Sequence, residues 1–170
     1  MSEKTPILSC LYKFFICVTL VFSLFMNSQP SWAKRPPEIR NQDDLNISKD
    51  MHGQDLSGLE FVKFDLRGID FSEANLTGTV FNNSKLGKAN LKGADMQDAL
   101  AYATQFEDAN LTDVNLTNAL LMESSFNNTI IDGADFTDAV ISRIQQKQLC
   151  KLASGVNSKT GVSTSYSLGC

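Results

Sequence analysis

The chain has 170 residues, 42% of them hydrophobic and 20% charged, with a formal net charge of −4 at pH 7. That is enough apolar content for one small folded domain, and the negative balance disfavours direct binding of nucleic acid. The one histidine, His52, has no cysteine near it in sequence, so neither a metal centre nor a catalytic relay is supported and no cofactor is implied.

At the N-terminus, Lys4 and Lys13 precede an apolar run, Phe14 to Met26, followed by Gln29-Pro30 and Ser31-Trp32-Ala33. Small residues at Ser31 and Ala33 suit signal peptidase, so residues 1–33 read as a cleavable signal peptide cut before Lys34. The run is shorter than the ~20 residues that span a bilayer, which argues against a retained anchor. No twin-Arg pair precedes it, so ordinary Sec-type export is expected, and Cys10 and Cys17 leave with the signal. Residues 34–50, with Pro36-Pro37 and many charges, read as a linker.

From Met51 the pattern changes. Every fifth residue is apolar: Met51, Leu56, Phe61, Leu66, Phe71, Leu76, Phe81, Leu86, Leu91, Met96, Ala101, Phe106, Leu111, Leu116, Leu121, Phe126, Ile131, Phe136 and Ile141. Two residues ahead of each centre runs a second series that is mostly small from Ala74 onward, for example Ala74, Thr79, Ser84, Ala89 and Ala94. A period of five matches neither the helical 3.6 nor the strand period of two, so the chain must turn a corner every five residues and build its core by stacking coils. The early inward positions depart from this rule. Leu59, Phe64 and Ile69 are large, and the first coil is expected to be widened or its mouth plugged by them.

The runs Ala89-Asn90-Leu91, Ala94-Asp95-Met96, Ala109-Asn110-Leu111 and Ala134-Asp135-Phe136 follow the motif A-(D/N)-L-x-x, and on them the chain resembles the pentapeptide-repeat family. The resemblance implies an all-β solenoid over residues 51–141, a right-handed quadrilateral β-helix with four repeats per coil. Residues twenty apart then stack in columns, and at ~4.8 Å per coil the tower is about 20–25 Å tall.

One column reads Asp55, Asn75, Asp95, Asn115, Asp135. Alternation of Asp with Asn relieves repulsion, and Asn can hydrogen-bond along the stack; solubility and stacking account for it without a Ca²⁺ site. On the neighbouring face, positions that the motif keeps polar carry an apolar stripe, Val80, Leu100, Tyr102, Leu120, Met122 and Val140, the candidate interaction face. Such a stripe is covered by the chain's own C-terminal tail, met by a partner or a second copy, or left as modest exposed apolar surface. From Gly93 to Ser142 there are nine acids and no Lys or Arg, an acidic belt.

The register stops after Ile141. Residues 142–153 read as a capping α-helix laying Ile144, Leu149, Cys150 and Leu152 on the open end of the last coil, stopped by Gly155, and residues 154–170 form a tail. Two cysteines remain after signal cleavage, Cys150 and Cys170. In an exported chain they allow one intramolecular pairing, a staple worth ~3 kcal/mol in the chain-entropy model, with a regulatory thiol pair as the other reading. Leu149-Cys150 and Leu168-Gly169-Cys170, together with the signal, are similar to the thylakoid-lumen pentapeptide-repeat proteins of plants and cyanobacteria. That narrower resemblance implies residence in the thylakoid lumen or periplasm and a cystine between Cys150 and Cys170.

Catalysis has no candidate base to activate the abundant Ser and Thr, and the chain reads as no enzyme. The sequence therefore points to a non-enzymatic protein-interaction or assembly module, working with an unknown protein partner or as a homodimer. The alternative is an acidic DNA mimic that binds and protects a topoisomerase, as the family's quinolone-resistance members do. Because Trp32 is the only tryptophan, native protein should begin at Lys34 and lack tryptophan fluorescence. Tryptophan emission from protein isolated from its host would overturn the export reading.

Overall fold

The computed structural model describes residues 49–170; the expected signal peptide (1–33) and all but the last two residues of the expected linker lie outside them. Within the described residues, parallel bridges run without a gap from Asp50↔Asp70 to Leu120↔Val140, always joining residues twenty apart. The chain is thus a four-sided coil. Each side is so short that it contributes one bridging residue between turns, so the ladders run up the tower instead of along extended strands. The bridging residues define the sides in chain order: a first (Asp50 to Ile130), a second (Asp55 to Asp135), a third (Glu60 to Val140) and a fourth (Asp65 to Ser125).

Five residues suffice for a side because each corner is a tight turn. Gln54 N donates to the Met51 carbonyl at 3.2 Å, and this closure recurs up the coil, as in Ala94 N to Leu91 O at 2.9 Å. The second central residue of each turn has positive φ, from Gly53 to Asp138, as a type II turn requires. Gly fills some of these corners and Asn or Asp others, but Lys63, Ala103 and Glu123 occupy the left-handed region as well, at a local cost that the ladder offsets. A Cβ on Gly93 would lie 2.1 Å from the Glu73 carboxylate, and one on Gly133 2.6 Å from that of Asp113, so a larger residue at either corner would have to push that side chain aside.

Two positions of each five point inward. The centres form the core, with Phe61, Leu66, Phe71, Leu76, Phe81, Leu86, Leu91, Met96, Phe106, Leu111 and Leu121 fully buried. Phe126 and Ile141, near the top, are only partly covered, as is Met51 at the bottom. Phe61 stacks on Phe81 at 5.3 Å and Phe106 on Phe126 at 5.2 Å. The inward hydroxyls solve their own desolvation by donating one coil back: Thr79 to the Leu56 carbonyl at 3.1 Å, Thr104 to Phe81 and Thr129 to Phe106 at 2.8 Å. Ser84 and Ser124 do the same to Phe61 and Ala101. Among the described residues no buried side-chain nitrogen or oxygen lacks a partner. In the first coil Phe64 and Ile69 are buried and Leu59 partly so, while the bridges keep their regular spacing. The coil is plugged by these side chains and not widened.

The upper end closes differently from the expected helix over 142–153. Helix α1 spans Arg143–Leu149 only, and its C-cap Cys150 leads into a turn in which Leu152 N donates to Leu149 O. The turn brings the Ser154 carbonyl to Gly133 N at 2.8 Å, which a longer helix would carry away. Nor do Ile144 and Leu152 lie on the coil: both are exposed, and the face laid inward is Gln145 and Leu149, four apart. Ser142 and Gln145 form a capping box. The amide of Gln145 also donates to the carbonyls of Leu121 at 2.9 Å and Ser124 at 2.7 Å, so a side chain stands in for the missing next coil. A second short helix, α2, Thr164–Ser167, was not expected from the sequence; Ser167 Oγ accepts from Phe136 N at 3.0 Å, and Leu168 is buried beside the core. Cys150 and Cys170 are joined, with Cα atoms 5.6 Å apart.

Replacing Leu91 or Phe106 with Ala should cost ~2–5 kcal/mol in a denaturant titration. Gln145→Ala should cost about 1–3 kcal/mol because two carbonyls lose their donor, whereas the neighbouring exposed Gln148→Ala should be near neutral. Equal effects of the two Gln changes would contradict the capping role.

Candidate interaction face

The third side carries the apolar stripe because each of its outward positions is set by the bridge register. Val80, Leu100, Leu120 and Val140 are successive rungs of one ladder. Tyr102 and Met122 occupy the first turn residue of their repeats, at the corner between third and fourth sides. Leu120 and Val140 are 42% and 45% exposed, Tyr102 44% and Met122 38%, while Val80 and Leu100 are half-buried by their neighbours. Val62, 40% exposed in the column of Tyr102 and Met122, is separated from them by Asn82 and so stands apart from the stripe. Outward side chains that touch only one another up a ladder are too few to dry the surface, so the stripe stays in water.

Polar groups fix its edge. Tyr102 N donates to Asn82 Oδ1 one coil below at 2.9 Å. The Tyr102 hydroxyl donates to the Glu123 carboxylate, which raises its pKa above the ordinary tyrosine value, with slight desolvation and the charge of Glu123 acting in the same direction.

The tail takes another path. It lies along the corner between the first and second sides, where Asn157 donates to the Gly133 carbonyl at 2.9 Å, Ser158 N to Asp113 at 3.0 Å and Thr160 Oγ1 to Asp135 at 2.6 Å. Lys159 reaches down to Glu73 at 2.7 Å and to the Gly93 carbonyl at 2.5 Å. These contacts leave the third side uncovered by residues 154–170. They also occupy acids of the belt, since Asp113, Asp132 and Asp135 all accept from the tail or from Ser154. Burial opposes ionisation of Asp135, but donors from Thr137 and Thr160 outweigh it and hold its pKa below the usual carboxylate value.

The remaining candidates have local explanations. In the Asp/Asn column, Asn75 donates to Asp55 at 2.9 Å and Asn115 to Asp95 at 3.0 Å, so each amide bridges two coils; on the first side Asn110 makes the same donation to Asn90 at 3.3 Å. His52 Nδ1 lies 2.9 Å from Ser72 Oγ. No group of three His, Cys, Asp or Glu able to hold a metal occurs among the described residues. On the fourth side, a groove of about 720 Å³ is lined by Asp65, Arg67, Lys85, Lys88, Glu107 and Asp108, charges of both signs. Arg67 pairs with Asp65 there at 2.6 Å and holds its carboxyl below the usual value, an exposed pair that contributes little to stability.

Comparison with known proteins gives the same picture. The family model for pentapeptide repeats matches eight copies over residues 65–100 and 103–143. Among solved structures, a pentapeptide repeat protein from the Arabidopsis thaliana thylakoid lumen is 36% identical, the match covering 72% of this chain and 90% of that one, with a TM-score of 0.47. One from the cyanobacterium Cyanothece 51142 is 28% identical over 55% of this chain and 64% of that one, with a TM-score of 0.54. HetL of the cyanobacterium Nostoc sp. strain PCC 7120, a pentapeptide repeat protein involved in heterocyst differentiation regulation, is 24% identical over 51% and 39%, with a TM-score of 0.36. No curated protein matches the sequence.

Glu123→Gln should bring the Tyr102 titration, followed by ultraviolet absorbance, down toward the ordinary value of ~10. The sign is set by linkage: a raised folded-state pKa favours the protonated phenol, so its contribution is present below the ordinary pKa and lost as pH rises through the raised one. A titration that Glu123→Gln leaves unmoved would remove the contact.

Proposed function

The chain belongs to the pentapeptide-repeat family, whose members form right-handed quadrilateral β-helices, and from that premise we propose that it is a non-enzymatic protein-interaction module exported to the thylakoid lumen or periplasm. The observation that carries this reading is the apolar stripe on the third side, which the tail and the other described residues leave exposed. The core is filled by its own Phe, Leu and Met side chains, so recognition falls to the outer columns. Export is supported by the signal-like pattern of residues 1–33, and a cystine between Cys150 and Cys170 suits an oxidising compartment. No helix of the described residues is long and apolar enough to cross a membrane.

A topoisomerase-binding DNA mimic needs a continuous run of available carboxylates. Here the belt is interrupted by amides in the Asp/Asn column and by the tail lying on Asp113 and Asp135. The apolar face is the better-supported contact surface.

The test is affinity capture from the native host with a tag placed after Ala33, comparing the wild type with a variant carrying Leu100→Asp and Leu120→Asp whose fold is checked by circular dichroism. A protein retained by the wild type and lost by the folded variant is the expected result. Equal capture by both, or none by either, would overturn the assignment of the third side.

A further inference from the structure

Residues 155–170 form a strap across the top of the tower. Val156 and Ser163 pair in a short antiparallel hairpin, α2 follows, and Cys170 closes back onto Cys150 at the end of α1. We propose that this strap is a redox-operated cover: a dithiol reductant that opens the cystine frees it from the corner between the first and second sides, while the coil and α1 stay folded.

What holds the strap down is mostly polar and wet. Of its large apolar side chains only Leu168 is buried, two positions before Cys170, whereas Val156 and Tyr166 are 59% and 81% exposed. The pair between Lys159 and Glu73 is half-exposed at both partners, and such a pair contributes little. Helix α2 is one turn long and cannot persist without its neighbours. Asn157 is the exception: it is buried, and its amide donates to the carbonyls of Gly133 and Val114. Against these contacts stands the entropy of ordering the whole strap. The cystine tips the balance, because a link between positions 20 apart limits how far Leu168 can stray from its seat.

The coil does not need the strap to the same degree. The capping box of Ser142 and Gln145, the donation from Gln145 to Leu121 and Ser124, and buried Leu149 all lie ahead of Cys150 in the chain. Lifting the strap instead takes Lys159 from Glu73, Ser158 N from Asp113 and Thr160 Oγ1 from Asp135, and removes the Ser167 acceptor from Phe136 N. The oxidised form thus masks three carboxylates of one corner that the reduced form presents to solvent. The apolar stripe on the third side takes no part in either state.

Cys170 is exposed and Cys150 only partly so, which makes Cys170 the sulfur a reagent reaches. One thiolate of the dithiol attacks Cys170 Sγ, the bond to Cys150 breaks, and Cys150 leaves as a thiolate that takes up a proton. The second thiolate of the reagent then closes on the first sulfur, and Cys170 departs as a thiol. Two electrons and two protons pass from the dithiol, which ends as a disulfide, to the cystine, which ends as two thiols.

Hydrogen exchange read by mass spectrometry tests the cover directly. The purified protein is compared with its cystine intact and after treatment with dithiothreitol, with reduction of Cys150 and Cys170 checked by alkylation. Peptides within 156–168 should exchange about tenfold faster or more after reduction, while those of the coil between 66 and 126 should not change. A Cys150→Ser, Cys170→Ser double variant should match the reduced protein without any reductant. Equal protection of the strap in both states would overturn the proposal, as would a cystine that dithiothreitol opens only in denaturant. Faster exchange throughout the coil would also overturn it, since the bond would then support the whole domain.

Discussion

Each coil of this protein can satisfy its backbone only against the coil above and the coil below, and it must return to the same place every twenty residues to do so. Four corners per turn follow from that demand, and each corner holds one residue at positive φ. The ladder in turn leaves two inward positions in five, which is why Phe and Leu alternate with Ala, Ser and Thr through the core. A stack this narrow has no room for a ligand among its centres. Whatever the molecule recognises is met by the outward columns, and their composition is where its individuality lies.

The same constraint makes the two ends special, because an end coil has lost one of its neighbours. At the bottom, Phe64 and Ile69 replace the small inward residues and fill the mouth with side chains. At the top, the remedy is polar as well as apolar. Gln145 supplies donors to Leu121 and Ser124, Asn157 to Gly133, and Ser167 an acceptor to Phe136 N, while Leu149 and Leu168 seal the apolar centre. The bond between Cys150 and Cys170 joins the end of α1 to the residues following α2, so the two capping elements hold one another in place.

What could be read in the sequence was what repeats. The period of five, the inward pair and the columns were all legible, because a residue's place in a coil depends on its position modulo twenty and on nothing distant. The cap was less legible. Helix α1 is shorter than its composition suggests since Ser154 is required at Gly133, a demand that no local pattern encodes. Ile144 looked like a core residue and is exposed, whereas Gln145 looked like surface and is buried. Only the position of Gln145, twenty beyond Ser125, where a next rung of the fourth side would fall, hints at this. The path of the tail was illegible for a further reason. Lys159 finds Glu73 and Thr160 finds Asp135 through aperiodic contacts that depend on which corner presents acids, so a tail drawn back by the cystine settles on the first and second sides and leaves the third bare.

The twenty-residue pitch also restricts how a gene encoding this chain can change length. Insertion or loss of a full coil would leave every column intact and alter only the height. A five-residue change would keep the core register yet rotate all later coils by a quarter turn: made between Leu100 and Leu120, it would carry Leu120 and Val140 onto a different side from Val80 and Leu100. Foldability therefore tolerates increments of five, whereas a continuous surface tolerates only increments of twenty.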